Sequence, residues 1–476
     1  MVRGASPSGS SSASSADTAY RNSPEQYHSV GPLFDTSPKT TALEFIGTRA
    51  LPDDIQGTAL IGGYFGAVAE LHRLHDDGSG FRSTQLPKLL KSSNAAFRPV
   101  DVSVGPDGAM YIADWFNPII GHYQASYADP RRDKSNGRIW RITAKGRAPV
   151  KQPNLAAMKL AELLEQLRSP ERWTRYQAKR LLFDAPTADV LKAADEFVAK
   201  LAPATPDHER LLMEVIGVFE SHEVTRPALL AKLLAAKDAR VRAYGARVAG
   251  MWAEKLPDAA KLLSDRARDE NPRVRLEAVV AASYLGKPIA AEVFTKALDL
   301  PTDKFLDYAL RQSARATQPH WAPALTANQL KLTHAAHADY LKKLITTPMK
   351  AALPGQHIYE MACLPCHQPE GKGLTGVYPP LVGSDWVRGD KAKLIKIVLH
   401  GLDGPITVGG QPFVMQNPVP MPAFGGLDDQ QIADVLSYIR AEYGKGTAPV
   451  TKAEVLSVRA ATMKRQAPWT AEELLR

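Results

Sequence analysis

Cysteine is almost missing from this chain: its 476 residues hold only two. A scaffold stapled by disulfides is thereby excluded, because such scaffolds carry cysteine in quantity. Long apolar runs are missing too. No stretch approaches the roughly 20 residues that a helix needs to cross a bilayer, and the opening MVRGASPSGSSSASSADTAY has an Arg but no apolar h-region of a secretory signal. Clustered positive charge is also absent. Lys and Arg outnumber Asp and Glu by 59 to 50, a formal +9, yet they are scattered along the chain. A nucleic-acid partner is therefore not expected; the charge reads as solvated helix faces and favours an acidic partner.

What is present is enough apolar residue, 44% against 23% charged, to bury several cores, and the length calls for two to four domains. Residues 1–30 read as a disordered Ser/Ala/Gly-rich arm. From 31 to 147 the pattern is strand and turn: RPVDVSVGPDGAMYIADW alternates around Gly105-Pro106-Asp107-Gly108, a hairpin signal, and NGRIWRIT repeats the alternation. From 150 to 345 the pattern is helical. Val241-Arg242 and Val274-Arg275 lie 33 residues apart, each after an Asp- or Asn-containing turn and before a small-residue helix, and Arg175 marks a weaker third copy. That period indicates an α-solenoid, with an irregular helical bundle as the alternative. Residues 346–446 form a compact stretch that holds both cysteines, and 447–476 a helical tail without a chemical signature. The fold class expected is multidomain and mainly α, with a partial antiparallel β region.

The two cysteines stand in MACLPCHQPEGKG as Cys363-Leu364-Pro365-Cys366-His367. A structural zinc site needs four ligands, and His357, His367 and His400 have no spacing that makes a second ligand pair. A thioredoxin-type pair belongs in a βαβ pattern, whereas PGQHIYEMA before the cysteines looks helical. Covalent haem attachment remains: thioethers at Cys363 and Cys366, with His367 placed under the iron as an axial ligand. A second axial ligand is available in NPVPMPAFGG, where Pro420 and Pro422 stiffen the loop around Met421, 54 residues beyond His367. Core packing is the ordinary role of a lone Met, and Met415 is a competing ligand. After Leu427, Asp428 and Gln431 make a capping-box pattern before an apolar stripe of Ile432, Val435, Leu436, Ile439 and Tyr443. Gly355, Tyr359 and Cys363 recur every four residues, so another helix can cross closely at the Gly with Tyr359 packed beside it.

Taken together, Gly355-x3-Tyr359-x3-Cys363-x2-Cys366-His367, then PPLVG, MPAF and a helix with YIR, resemble a class I cytochrome c over about a fifth of the chain. The resemblance implies an all-α domain in which first and last helices cross at Gly355, Tyr359 and Tyr438. It further implies a carbonyl at Pro379 accepting a hydrogen bond from His367, Leu381 on the haem face, and Tyr359 with these two in the haem pocket. His/Met ligation raises the reduction potential, as suits a carrier downstream of a dehydrogenase. The stretch AAFRPVDVSVGPDGAMYIADW through NGRIWRIT resembles the end of the propeller in membrane-bound dehydrogenases of planctomycetes and verrucomicrobia. There a sorbosone-dehydrogenase-like propeller precedes HEAT-type repeats and a C-terminal cytochrome c. The part before Thr143 makes two blades at most, where closure takes about four to eight. A quinone (PQQ-like) or Ca site is therefore expected only if a complete propeller is supplied elsewhere. Asp101, Asp114, Asn117 and His122, the polar residues of the remaining piece, read as loop-structuring groups rather than catalytic ones.

The expected function is that of a c-type cytochrome with one His/Met-ligated haem, passing single electrons between a dehydrogenase donor and a cytochrome or oxidase acceptor. The alternatives are an intact quinone-dependent sugar or alcohol dehydrogenase with an internal haem acceptor, and a scaffold in which haem is only structural. Haem attachment to CxxCH implies a periplasmic or other extracytoplasmic setting, which calls for a start upstream of Met1 or, alternatively, for a remnant whose exported partner is encoded separately. Replacing one attachment point tests the reading: Cys363→Ser leaves the haem on one thioether or none, which shows as weakened or lost haem staining on a denaturing gel.

Overall fold

The computed structural model describes residues 33, 34, 36, 40–64, 66–94, 96–119, 129–346, 355–368, 370–374, 376–414 and 420–476. The arm expected at 1–30, His122 and Met415 lie outside the described residues. The chain divides into two compact units, one comprising 32–120 and 127–348 and the other containing 349–476. Among the described residues no helix is long and apolar enough to cross a membrane.

Among the described residues the first unit begins with eight strands in two antiparallel sheets. Strands β1 (Thr40–Phe45), β2 (Ala59–Gly63), β3 (Val68–Asp77) and β4 (Gly80–Gln85) follow one another in spatial order, and the short β5 (Leu90–Lys91) pairs with the start of β3. Strands β6 (Pro99–Val104), β7 (Met110–Asp114) and β8 (Arg138–Ile142) form the second sheet. The Gly105–Gly108 turn joins β6 to β7 in the register Val104 opposite Met110. Alternation turns Val102, Val104, Met110 and Ile112 inward, all of them buried. The described strands of this region form antiparallel sheets and close no ring, so antiparallel sheet is the architecture observed.

Helices follow, among them Arg172–Asp184, Ala239–Met251 and Pro272–Ala282. The repeated arginines explain the 33-residue signature physically. Each reaches back over the turn that precedes its own helix. Arg175 donates to the carbonyls of Ser169 and Pro170, Arg242 to Ala236 and Lys237, and Arg275 to Asp269 and Glu270. The same offsets of six and five residues recur in all three, so one side chain per repeat satisfies carbonyls that the helix itself leaves unpaired. Asp238 and Asn271 cap the second and third of these helices by accepting from Arg240 and Arg273 backbone N–H groups. Arg242 also forks onto both carboxylate oxygens of Asp269 at 2.8 and 2.9 Å.

Sheet and solenoid are joined at the tip of the β3–β4 turn. Asp303 caps the long helix Lys304–Thr326 through the Phe305 and Leu306 amides, and the same carboxylate accepts from the Ser79 amide at 2.6 Å and the Ser79 hydroxyl at 2.7 Å. Arg273 donates to the Ser79 and Gly80 carbonyls, and its guanidinium lies 3.8 Å from the Phe81 ring centroid. Docking on the solenoid thus covers the turn between β3 and β4.

In the second unit the helical stretch 356–367 faces the helix Asp429–Glu442, whose capping box is formed by Asp428 and Gln431. Ile432, Val435, Leu436, Ile439 and Tyr443 are buried. The helix Lys391–His400 packs beside them, and the tail contributes the helices Lys452–Thr462 and Ala471–Leu475.

Because Asp303 serves as cap and as docking anchor at once, Asp303→Ala lowers the stability of the first unit by about 2–3 kcal/mol. Denaturant titration followed by circular dichroism measures it. Burial opposes ionisation of this carboxyl, but the bonds from Leu306 and Ser79 outweigh it and hold it below the usual carboxylate range. The contribution is therefore whole above that range and is lost as pH falls through the lowered folded-state value, and the Asp303→Ala protein loses this component of the acid sensitivity.

Candidate functional site

Proline decides the local shape around the cysteines. Pro365 has no N–H for the Met361 carbonyl, and its ring would press on that carbonyl. The preceding turn, Tyr359–Cys363, widens to a π-helical one in which the Leu364 N–H donates to the Tyr359 carbonyl. Cys363, Cys366 and His367 then leave the helix within little more than one turn. The two cysteines are not joined to each other. Burial pushes the Cys363 thiol up to about 12.

Cys363 and His367 open onto a cavity whose wall is almost entirely apolar. Pro379, Leu381, Trp386, Val398, Met421 and Phe424 are among its lining. His367 Nδ1 lies 2.9 Å from the Pro379 carbonyl oxygen. A carbonyl only accepts, so Nδ1 carries the proton and Nε2 keeps its lone pair. Burial pushes the imidazole pKa below its ordinary value, with the Pro379 bond acting the other way. The neutral form, with an available Nε2, is the form a metal needs. An apolar slot with Cys363, a neutral imidazole and a thioether on its walls, and Cys366 next to that imidazole in the chain, fits a covalently held haem.

Met421 is held through its backbone: its N–H donates to the Leu402 carbonyl at 2.8 Å and its carbonyl accepts from the Leu402 N–H at 3.1 Å. Gly401 makes this approach feasible, since a Cβ there would stand 2.4 Å from the Met421 carbonyl oxygen. Leu381 lines the cavity. Tyr359, expected in the haem pocket, does not line it. Its hydroxyl donates to the Gln368 carbonyl at 2.7 Å, and its ring packs with Tyr438 and Tyr443 at centroid distances of 5.3 and 5.4 Å. It is therefore a buried prop behind the cysteines. Cys366 also sits outside the cavity lining, beside the Tyr378 side chain.

Two structural residues escaped sequence reading. Arg440, in the YIR segment, donates to the carbonyls of Ala448, Val387 and Gly389. Trp386, on the short helix Asp385–Arg388, donates to Thr407 and closes one side of the cavity. Nothing in their spacing marked them. In the first unit, Asp114 is 3% exposed and accepts from the amides of Arg98 and Phe116 and from the Trp140 indole. Asn117 accepts from the Ile119 amide, and Asp101 from the amide of Val102. These contacts are loop-structuring.

Comparison with known proteins finds three family matches. Residues 352–441 match cytochrome c, 226–315 match HEAT repeats, and 18–146 match a domain of unknown function (DUF7133). Cytochrome c-552 of Thermus thermophilus is 37% identical over 125 residues, which are 24% of this chain and 81% of that protein. The gluconate 2-dehydrogenase cytochrome c subunit of Pantoea cypripedii is 39% identical over 112 residues, 22% of this chain and 24% of that protein. The fructose dehydrogenase cytochrome subunit of Gluconobacter japonicus is 34% identical over 114 residues, 22% of each chain.

The crossing that supports the cysteine helix rests on Gly355. Its φ is +88°, and a Cβ would lie 2.0 Å from the Asp434 carbonyl oxygen, fixed backbone of the Asp429–Glu442 helix. Gly355→Ala costs about 3 kcal/mol or more. Thermal unfolding of the haem-loaded protein, together with haem yield, measures it.

Proposed function

As a member of the cytochrome c family, to which residues 352–441 assign it, this chain binds haem c covalently and transfers electrons, and we propose that Cys363 and Cys366 form the thioether links while His367 and Met421 ligate the iron. When bound, the haem supplies one-electron redox chemistry at its iron. The observation that carries the assignment is the Nδ1 bond from His367 to Pro379, which leaves Nε2 as a lone-pair donor aimed from a fixed ring. Met421, tied by its backbone to Leu402 and lining the same cavity, supplies the second donor. The apolar wall of Leu381, Val398 and Phe424 keeps water out, which favours the less charged reduced state.

We further read the chain as the electron-accepting part of a dehydrogenase system in an extracytoplasmic compartment. Its support is the likeness to cytochrome subunits of gluconate and fructose dehydrogenases, of which the chain spans only about a quarter. The sheets and solenoid of the first unit suit the arrangement of a propeller–HEAT–cytochrome dehydrogenase, with the solenoid as a partner-positioning surface. Oxidation of the substrate, with any quinone or Ca site, belongs to a partner or to a further part of such a system.

The decisive test is optical. Protein matured with periplasmic haem-attachment machinery shows the weak long-wavelength band of Met-ligated ferric haem, and sharp α and β bands on reduction. Met421→Ala removes that band, opens the iron to added ligands and lowers the reduction potential. An unchanged ferric spectrum in the mutant would sink the Met421 assignment.

A further inference from the structure

The tail beyond residue 446 has no chemistry of its own, yet it converges on the Met421 loop from two directions. The first is a backbone ladder. Trp469–Thr470 pairs in parallel with Leu402–Asp403, with Trp469 N–H donating to the Gly401 carbonyl at 3.0 Å. Leu402 in turn makes both hydrogen bonds to Met421. The tail strand, the Leu402 strand and the Met421 backbone thus form three consecutive rungs. The Trp469 ring is pinned from above and beside, with the Arg465 guanidinium 3.6 Å and the Lys396 ammonium 5.1 Å from its centroid.

The second direction is Arg459, on the tail helix Lys452–Thr462. Its guanidinium donates to the Gly425 carbonyl at 2.7 Å, the Leu427 carbonyl at 2.6 Å and the Asp429 carboxylate at 2.7 Å. These three acceptors are the end of the Met421 loop and the first turn of the helix that follows. One rigid fork therefore fixes where the loop stops, while the ladder fixes where it starts. Between them, Phe424 donates to the Val398 carbonyl. All of the tail residues lie beyond 441, the end of the cytochrome c match.

We propose that Arg459 is a positioning residue for the Met421 ligand: the tail holds the methionine loop against the cavity and sets how often the thioether leaves the iron. The proposal rests on Met421 being that ligand. An exogenous ligand binds only when the thioether is off, so its apparent dissociation constant scales inversely with the thioether-off population. Loosening the loop raises that population without altering the iron itself.

Imidazole titration of the ferric, haem-loaded full chain, followed by loss of the long-wavelength band and the Soret shift, reads this directly. Arg459→Ala tightens imidazole binding about tenfold, in line with the loss of charge-assisted hydrogen bonds. Arg459→Lys, which keeps the charge but not the fork, falls between and serves if the alanine variant does not fold. In the Met421→Ala background Arg459→Ala then has no further effect, because the position it guards is already vacant. Equal tightening by Arg459→Ala in both backgrounds overturns the proposal, since Arg459 then acts on the cavity as a whole. No tightening by Arg459→Ala, with Met421→Ala still tightening strongly, also overturns it and leaves the ligand assignment standing. If Met421→Ala itself leaves imidazole affinity unchanged, the ligand assignment fails and the proposal falls with it.

Discussion

The hydrogen bond from His367 to the Pro379 carbonyl is the constraint around which the second unit is organised. It fixes three things at once: the rotation of the ring, the tautomer, and the distance between the cysteine helix and the PPLVG segment. Everything else in the unit serves to keep those two pieces of chain in place. The π turn before Pro365 aims the cysteines and the histidine, the glycine crossing seats their helix on Asp429–Glu442, and Arg440 ties that helix to the backbone beside Trp386. A single buried polar contact can carry such weight because the cavity around it is apolar, where an unmet donor would be costly.

The two compact units solve different problems with the same device. In the second, arginines reach to backbone carbonyls to hold loops: Arg440 near Val387, Arg459 near Gly425. In the first, Arg175, Arg242 and Arg275 do so once per repeat, over the turn before each helix. A guanidinium has five donors in a planar fork, enough to close several carbonyls that no secondary structure reaches. A basic composition, which at first sight suggests a charged partner, is in part the residue cost of a helical protein with many short turns.

Much of the site was legible because its residues are local in sequence. CLPCH lies within little more than one turn of helix, and Gly355, Tyr359 and Cys363 follow a helical period, so spacing alone places them. The Asp428–Gln431 capping box and the stripe behind it were legible for the same reason. Tyr359 shows the limit. Periodicity placed it on the correct face of the helix, but whether a side chain on that face lines a cavity or backs it depends on what crosses behind, here Tyr438 and Tyr443. Arg459 and Trp469 were illegible altogether, because most of their acceptors are backbone carbonyls some 30 to 70 residues away, and backbone acceptors leave no mark in a sequence. The β region was read correctly as antiparallel hairpins from alternation, whereas the fate of its exposed turn was settled only by Asp303, far along the chain.

That last contact has a consequence for the order of assembly. Ser79 and Asp303 are separated by 224 residues, so during synthesis the β3–β4 turn emerges long before the carboxylate that receives it. Until the helix Lys304–Thr326 has been made, the sheet has local pairing but no docked tip, and its edges are open to pairing with other chains. Contacts of such long range are also slow to form, because a large loop must close before they contribute. The first unit is thus sealed from its C-terminal side, late, and the N-terminal sheet is the part of the molecule that spends longest unprotected.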